Sequence, residues 1–349
     1  MDRPGGQAAR HRRAAAALTI AAACLLVSLA VPAAAAWPNR PPWSTTTTSR
    51  ATTTTTAPTT TTTAPTTTTT APATTTTTAP TTTTTVAGGP CGAQITKADG
   101  STWQCTFADD FNGTTLDTSK WVVQTTAASG FHNGPECFVN TPNNLSVANG
   151  TLSLTARKEA APFTCASSTG SYTSQYTSGM VMTYGLFSQA YGRFEVRAKL
   201  PAATVKGLQE SFWLWPDNPT KYGYWPTSGE IDIAEAYSLY PDRVIPYIHY
   251  TPATTDPNVT NTACMISDLS QFHDYVAEWT PTSISIIYDG QTCLVDTWNP
   301  AWPLAKPQPF DQPFMVALTQ ALGIGGNAFD PATTPLPATT QIDYVHVWK

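Results

Sequence analysis

The chain has 349 residues, with 18 Lys and Arg against 23 Asp and Glu, a formal net charge of −5, and only 12 % charged side chains. Beyond Arg13 no lysines or arginines cluster, so the basic footprint of a nucleic-acid binder is missing and nucleic acid is not an expected partner.

Residues 1–36 read as a signal peptide. Arg10, Arg12 and Arg13 precede the apolar run AAAALTIAAACLLVSLAV, and Ala34 and Ala36 suit a signal-peptidase cut before Trp37. The small-residue site follows the run at once, and no later segment is apolar enough to span a bilayer, so the pattern is that of a secretory leader rather than an anchor. The residues around Arg12 and Arg13 match a twin-arginine signal poorly. Cys24 lies inside the run, with Leu25 to Val31 still to come, which disfavours lipoprotein processing. The expected location is extracellular, without stable membrane insertion.

Residues 37–86 read as a disordered linker. From Ser44 to Val86 the chain repeats TTTTTAP, which has almost no apolar mass and cannot offset its own ordering entropy. Its threonines are O-glycosylation acceptors in kind. Such a linker holds the following domain away from a cell wall or surface, or serves as a plain spacer.

Residues 87–349 form one compositional unit, ordinary in size for a β-sandwich. Leaving out Cys24, the remaining cysteines are Cys91, Cys105, Cys137, Cys165, Cys264 and Cys293. They suit an oxidising compartment, and no CxxC pair points to a metal. Six cysteines allow about fifteen pairings, which sequence does not decide. Short loops favour neighbours, giving 91–105, 137–165 and 264–293 as the expected bridges.

Secondary-structure signals here are β. NLSVANGTLSLTARK (144–158), GRFEVRAKL (192–200), SISIIYDG (283–290) and QIDYVHVW (341–348) alternate apolar and polar residues, with turn clusters between them. Asn149-Gly150 is a strong hairpin signal. Many short strands and no long helical period predict a sandwich or jelly roll.

SGEIDIAEAYS (228–238) places Glu230, Asp232 and Glu235 among isoleucines. On a strand, Glu230 and Asp232 share one face and Ile231 and Ile233 the other. Glu235 falls on the wrong face unless one β-bulge sits within Ile233-Ala234, which would re-aim it beside the other two. Glu230 and Glu235 would then lie about 13 Å apart at Cα, at about 3.3 Å per position, and their carboxyls about 5 to 6 Å apart. That spacing suits a retaining glycosidase, and mutual repulsion would raise at least one pKa. A solvent-facing strand and a calcium cluster are the competing readings. Trp213, Trp215, Tyr222, Tyr224 and Trp225 lie just upstream and favour a carbohydrate cleft, because sugar faces stack on aromatic rings.

GEIDIAE resembles the signature of glycoside hydrolase family 16 in its bulged ExDxxE form, as in the laminarinase-like and agarase-like branches. FADDFNGTTLDTSKW (107–121), YGRFEVRAKLP (191–201), FWLWP (212–216), WPTSGEIDIAE (225–235), FHDYVAEWTPTSISIIYDG (272–290) and IDYVHVW (342–348) follow in that family's order. The likeness spans residues 103–349. It implies an all-β fold, a concanavalin A-like β-jelly-roll sandwich of two curved antiparallel sheets, with substrate in a cleft across the concave face. It implies Glu230 as nucleophile, Glu235 as general acid and then base, and Asp232 as the residue that holds the nucleophile's protonation.

Further positions follow from the same resemblance. Trp213 and Trp225 match subsite tryptophans, and His249 matches a histidine near the scissile bond, with a structural histidine as the alternative. Gln320, in TQALGIGGN, stands where an Asn often precedes the LAVGG-like segment. Asn133 and Glu136, in FHNGPECFV, match a sugar-contacting segment only loosely; Cys137, bridged to Cys165, would remodel that rim. Asp343 and the Gly150 carbonyl match ligands of a structural calcium on the convex face. Catalysis would need no cofactor. The implied function is a secreted, monomeric, retaining endo-glycosidase acting on β-1,3-glucan or mixed β-1,3-1,4-glucan. A transglycosylase and a glucan-recognition module on the same fold are the alternatives. The second would be expected to lack one of the three acids.

Overall fold

The structure, a computed structural model, describes residues 89–97 and 99–349. The expected signal peptide and linker lie outside the described residues. No helix among them is long and apolar enough to cross a membrane.

In chain order the strands are β1 (Cys105–Asp109), β2 (Val122–Val123), β3 (Glu136–Phe138), β4 (Leu145–Ala148), β5 (Thr151–Cys165), β6 (Tyr172–Ser178), β7 (Met180–Met182) and β8 (Gly192–Lys199). There follow β9 (Leu208–Pro216), β10 (Glu230–Tyr237), β11 (Ile245–His249), β12 (His273–Trp279), β13 (Ile284–Tyr288), β14 (Gln291–Asp296), β15 (Phe314–Leu322) and β16 (Ala338–Trp348). One short helix, α1 (Thr126–Ser129), follows β2.

Two sheets result. The larger orders β14-β13-β12-β8-β16-β5-β6-β3, with β1 beside β16 and β4 beside β5; the smaller orders β11-β10-β9-β15-β7-β2. The expected sandwich is present, with one departure: β3 runs parallel to β6. β3 enters through α1 from β2, in the other sheet, so no tight hairpin obliges it to pair antiparallel.

The hairpin signals act locally. Ala148 pairs with Thr151 across Asn149 and Gly150, whose φ values are +54° and +73°, as a type I′ turn requires. Asp289 and Gly290 repeat this between β13 and β14, at φ +47° and +77°.

The core lies between the sheets. Leu152, Leu154, Phe194, Val196, Phe212, Leu214, Ile231, Ile233, Ile286, Val316 and Leu318 belong to one contiguous buried cluster. Each such side chain contributes roughly 1.5–3 kcal/mol by leaving water. A separate cluster of Phe131, Phe138, Met180, Met182, Trp213, Trp215, Met315, Ala317 and Ala321 draws on β7, β9 and β15 of the smaller sheet, in opposite phase to the core series. The smaller sheet therefore carries two buried faces, and every residue of β10 and β15 is buried. That explains why β15 reads as a largely apolar run rather than as alternation.

All three neighbour pairings form disulfides: Cys91–Cys105, Cys137–Cys165 and Cys264–Cys293. The second ties β3 to the end of β5 and so anchors the loop 131–135.

Candidate active site

β10 carries the bulge that its acids require. Against β9, Asp232 pairs with Trp213 and Ala234 with Phe212, so one extra residue, Ile233, enters between them. Glu235 then pairs with Ser211 and returns to the face of Glu230 and Asp232. Ile231 and Ile233 stay in the core. The bulge detaches the Ile233 carbonyl from the ladder, and Tyr288 of β13, in the opposite sheet, donates its hydroxyl to that oxygen at 2.7 Å. Sequence reading gave no role to Tyr288, and only the packing of one sheet on the other reveals it.

Gly229 sets the strand's entry. Its φ is +87°, and a Cβ there would lie 3.0 Å from the Phe310 ring and 3.1 Å from that of Phe314. A side chain is disfavoured on both counts.

The three acids are 1 % exposed. Trp225 donates its indole N–H to Glu230 Oε2 at 2.5 Å. Gln209 donates its amide to Glu235 Oε1 at 3.2 Å. His249 pairs across the ladder with Glu230, and its Nε2 lies 3.0 Å from Asp232 Oδ2, off the axis of a hydrogen bond. Tyr247 stacks on His249 with ring centroids 3.9 Å apart, and Trp225 leans on it at 5.3 Å.

Burial dominates the electrostatics. Glu230 is held well above the ordinary carboxylate value by desolvation and then by the charge of Asp232, opposed by His249 and the Trp225 hydrogen bond. Asp232 is raised by desolvation alone. Glu235 is pushed up to about 8, first by desolvation and then by Asp232. His249 is lowered by desolvation, so at neutral pH it is uncharged. At neutral pH the cluster therefore holds protons. Within the Glu230/Asp232 pair, the Trp225 N–H favours the ionised form of Glu230, whereas burial alone acts on Asp232, so the pair shares its proton with the bias toward Asp232.

Trp213 lies in the floor of the groove, 4 % exposed, and donates Nε1–H to Thr319 Oγ1 at 3.0 Å. A narrow hollow is lined there by Phe131, Asn133, Gln209, Ser211, Trp213 and Asp232, with Thr319 and Ala321. Two sequence expectations need correction. Gln320 faces away from the groove: it is fully buried, donates to Glu210 Oε1 at 2.7 Å and accepts from Thr340 at 2.8 Å. Strand alternation is the reason, because Thr319 and Ala321 take the groove face of β15 and Gln320 takes the core face. Glu136 is fully buried and contacts no open surface; it accepts the backbone N–H of Asn133 at 2.9 Å and of Gly134 at 3.0 Å, and so holds its own loop. Asn133 does reach the groove, where its amide bonds Gln209.

Asp343 lies on β16 and Gly150 in the turn that enters β5, and the two strands are neighbours, pairing Ile342 with Leu152. The Asp343 carboxylate pairs with the Arg197 guanidinium at 3.2 Å. Calcium takes about six to eight oxygen ligands. Here the one side chain offered is engaged by a cation. Among the described residues, the grouping with metal-ligand character is Glu230, Asp232 and His249, whose donor atoms lie within 4.8 Å of one another.

The Glycosyl hydrolases family 16 sequence profile matches residues 135–345, well over half the chain. The chain belongs to that family. Among family 16 relatives, glucan endo-1,3-beta-glucosidase A1 of Niallia circulans is 34 % identical over 270 residues, covering 71 % of this chain and 37 % of that protein. The beta-glucanase of Rhodothermus marinus is 32 % identical over 267 residues, covering 71 % of this chain and 85 % of its own. The endo-beta-1,3-glucanase of Pyrococcus furiosus superposes with a TM-score of 0.61 at 27 % identity, over 73 % of this chain and 97 % of that one. This chain thus spans just over a third of the Niallia circulans protein and most of the other two.

Proposed function

We propose that the protein is a secreted retaining endo-glycosidase that hydrolyses β-1,3-glucan or mixed β-1,3-1,4-glucan. The observation that carries this reading is the bulged strand, which sets Glu230, Asp232 and Glu235 on one buried face. Relatives named for β-1,3-glucan and for β-glucan cleavage support the substrate class.

Glu230 attacks the anomeric carbon as a carboxylate, with the Trp225 N–H holding its second oxygen. The glycosidic C–O bond breaks, and Glu235 gives its proton to the departing oxygen. Water then attacks the glycosyl ester, Glu235 takes its proton, and the Glu230–sugar bond breaks. Two inversions leave the anomeric configuration retained. The raised value of Glu235, about 8, keeps it an acid at neutral pH. Asp232 carries the shared proton toward Glu230, and neutral His249 lets that proton stay on the carboxyl pair. Trp213 and Trp225 offer ring faces to the sugars. In this reading no metal or other cofactor takes part, and one chain suffices.

A recognition module on the same fold is the rival reading, supported by 30 % identity to a beta-1,3-glucan-binding protein of Penaeus monodon. Retention of all three acids favours the enzyme. The test is release of new reducing ends from laminarin, lichenan, barley glucan, agarose and carrageenan. Rapid release from laminarin, with short oligosaccharides as products, is expected. Binding to laminarin without cleavage at any pH from 4 to 8 would leave the recognition module as the answer.

A further inference from the structure

The segment FHNGPECFV bears on the acid/base more directly than as a rim for sugar. Asn133 Nδ2 donates twice, to the Leu322 carbonyl at 2.8 Å and to Gln209 Oε1 at 2.8 Å. Gln209 Nε2 in turn donates to Glu235 Oε1 at 3.2 Å. The direction of this chain is fixed by chemistry. A backbone carbonyl only accepts, so the Asn133 amino group must face Leu322. Its second hydrogen then meets Gln209, which must answer with its carbonyl oxygen. The Gln209 amino group is left pointing at Glu235.

The anchor of the chain is built in. Buried Glu136 accepts the backbone N–H groups of Asn133 and Gly134. A Cβ at Gly134 would come within 2.7 Å of the Leu322 carbonyl, so glycine lets the loop lie flat on β15. Cys137–Cys165 closes the loop's far side. Gln209 is 3 % exposed on β9, two positions from Ser211, which pairs with Glu235.

We propose that Asn133 and Gln209 form a directional amide relay that positions Glu235, giving an N–H to Oε1 and leaving Oε2 as the oxygen that carries the catalytic proton. The inference rests on the reading of Glu235 as acid/base. It makes Gln209 and Asn133 positioning residues, with no contact to the reacting atoms. An N–H donor favours the ionised carboxylate, so the relay also helps Glu235 release its proton and later act as base. Without it the orientation of the carboxyl is left to the Tyr237 side chain, which also interacts with Glu235, and the proton spends part of its time on the oxygen turned from the leaving group.

The test is the pH dependence of kcat/KM on laminarin for Gln209→Met, which keeps the length and removes the amide, and for Asn133→Asp, which cannot donate. Both should lower kcat about tenfold to a hundredfold, with KM changed less. Both should move the alkaline limb upward by about half a unit or more, and the double variant should add little to either. Circular dichroism and Tm establish that the variants fold; if Gln209→Met does not, Asn133→Asp carries the test from outside the strand. An alkaline limb unmoved in both variants, with KM raised instead, would make the pair sugar contacts and overturn the relay. Glu235→Ala with and without azide separates the two levels. Azide rescue with unmoved limbs rejects the relay alone, whereas near-normal activity of Glu235→Ala rejects the reading beneath it.

Discussion

At the residue scale, each acid has a distinct set of neighbours, and the distinct roles follow from them. Glu230→Gln removes the nucleophile while keeping shape and the Trp225 contact, so we expect kcat to fall by several orders of magnitude with laminarin binding retained. Near-normal turnover would reject that assignment. Trp225→Phe keeps a ring but loses the N–H on Glu230. We expect kcat to fall about tenfold to a hundredfold and the acidic limb of kcat/KM to move to higher pH, read from a pH profile. The three acids were legible in the sequence because alternation and one bulge are simple geometry. Gln320 was not, because a motif letter was matched without its strand phase. The phase was present: Val316 and Leu318, in the core, and Leu322, in a smaller buried cluster, form the apolar series of β15, while Ala317, Thr319 and Ala321 form the small series that leaves room for a ligand. Gln320 belongs to the first series and Thr319 to the second.

At the scale of elements, β10 works because two sheets cooperate. Its bulge turns out a carbonyl to which Tyr288 of the opposite sheet donates. Tyr288→Phe should leave that buried oxygen unpaired, lowering stability by about 1–3 kcal/mol. It should also lower kcat more than KM, since Glu235 follows the bulge directly. A thermal melt and laminarin kinetics on the one variant check both. Glu136 shows the opposite limit of sequence reading. Its place near the groove was foreseen, but an acid that folds back onto its own loop has no sequence signature apart from the HNGPE turn around it. Asp343, matched to a calcium ligand by its motif position, pairs with Arg197. Chelation should therefore leave Tm unchanged; a drop of several degrees with EDTA, restored by calcium, would locate an ion that the side-chain pairing does not suggest.

At the scale of the whole molecule, burial raises the pKa of several carboxyls outside the catalytic cluster. Glu210 is pushed up to about 8 by desolvation, against the hydrogen bond from Gln320. Asp296, 1 % exposed, is pushed up to about 7 by desolvation and by Asp256. Glu136 is raised by desolvation despite its backbone donors. A raised folded value means that the folded state binds more protons than the unfolded chain. Stability is then fullest below the ordinary carboxylate range and is lost as pH rises through 7 and 8. We expect Tm to fall between pH 5 and pH 9. Glu210→Gln should flatten part of that slope, matching the native Tm near pH 5 and exceeding it at pH 8. A Tm that climbs with pH would contradict these raised values. The sandwich and its three neighbour disulfides could be read in advance because turn signals and short loops are local. The buried Glu210–Gln320–Thr340 chain could not, since it joins three strands from two sheets.

The central claim is that Glu230 and Glu235 act in turn on one anomeric carbon, and the stereochemistry of the first product tests it most directly. Proton NMR of laminarin digestion, followed from the first seconds, should show the β anomer of the new reducing end appearing first and the α anomer growing only by mutarotation. Initial appearance of the α anomer would mean direct displacement by water. It would contradict the covalent step on Glu230 and the two-stage role of Glu235.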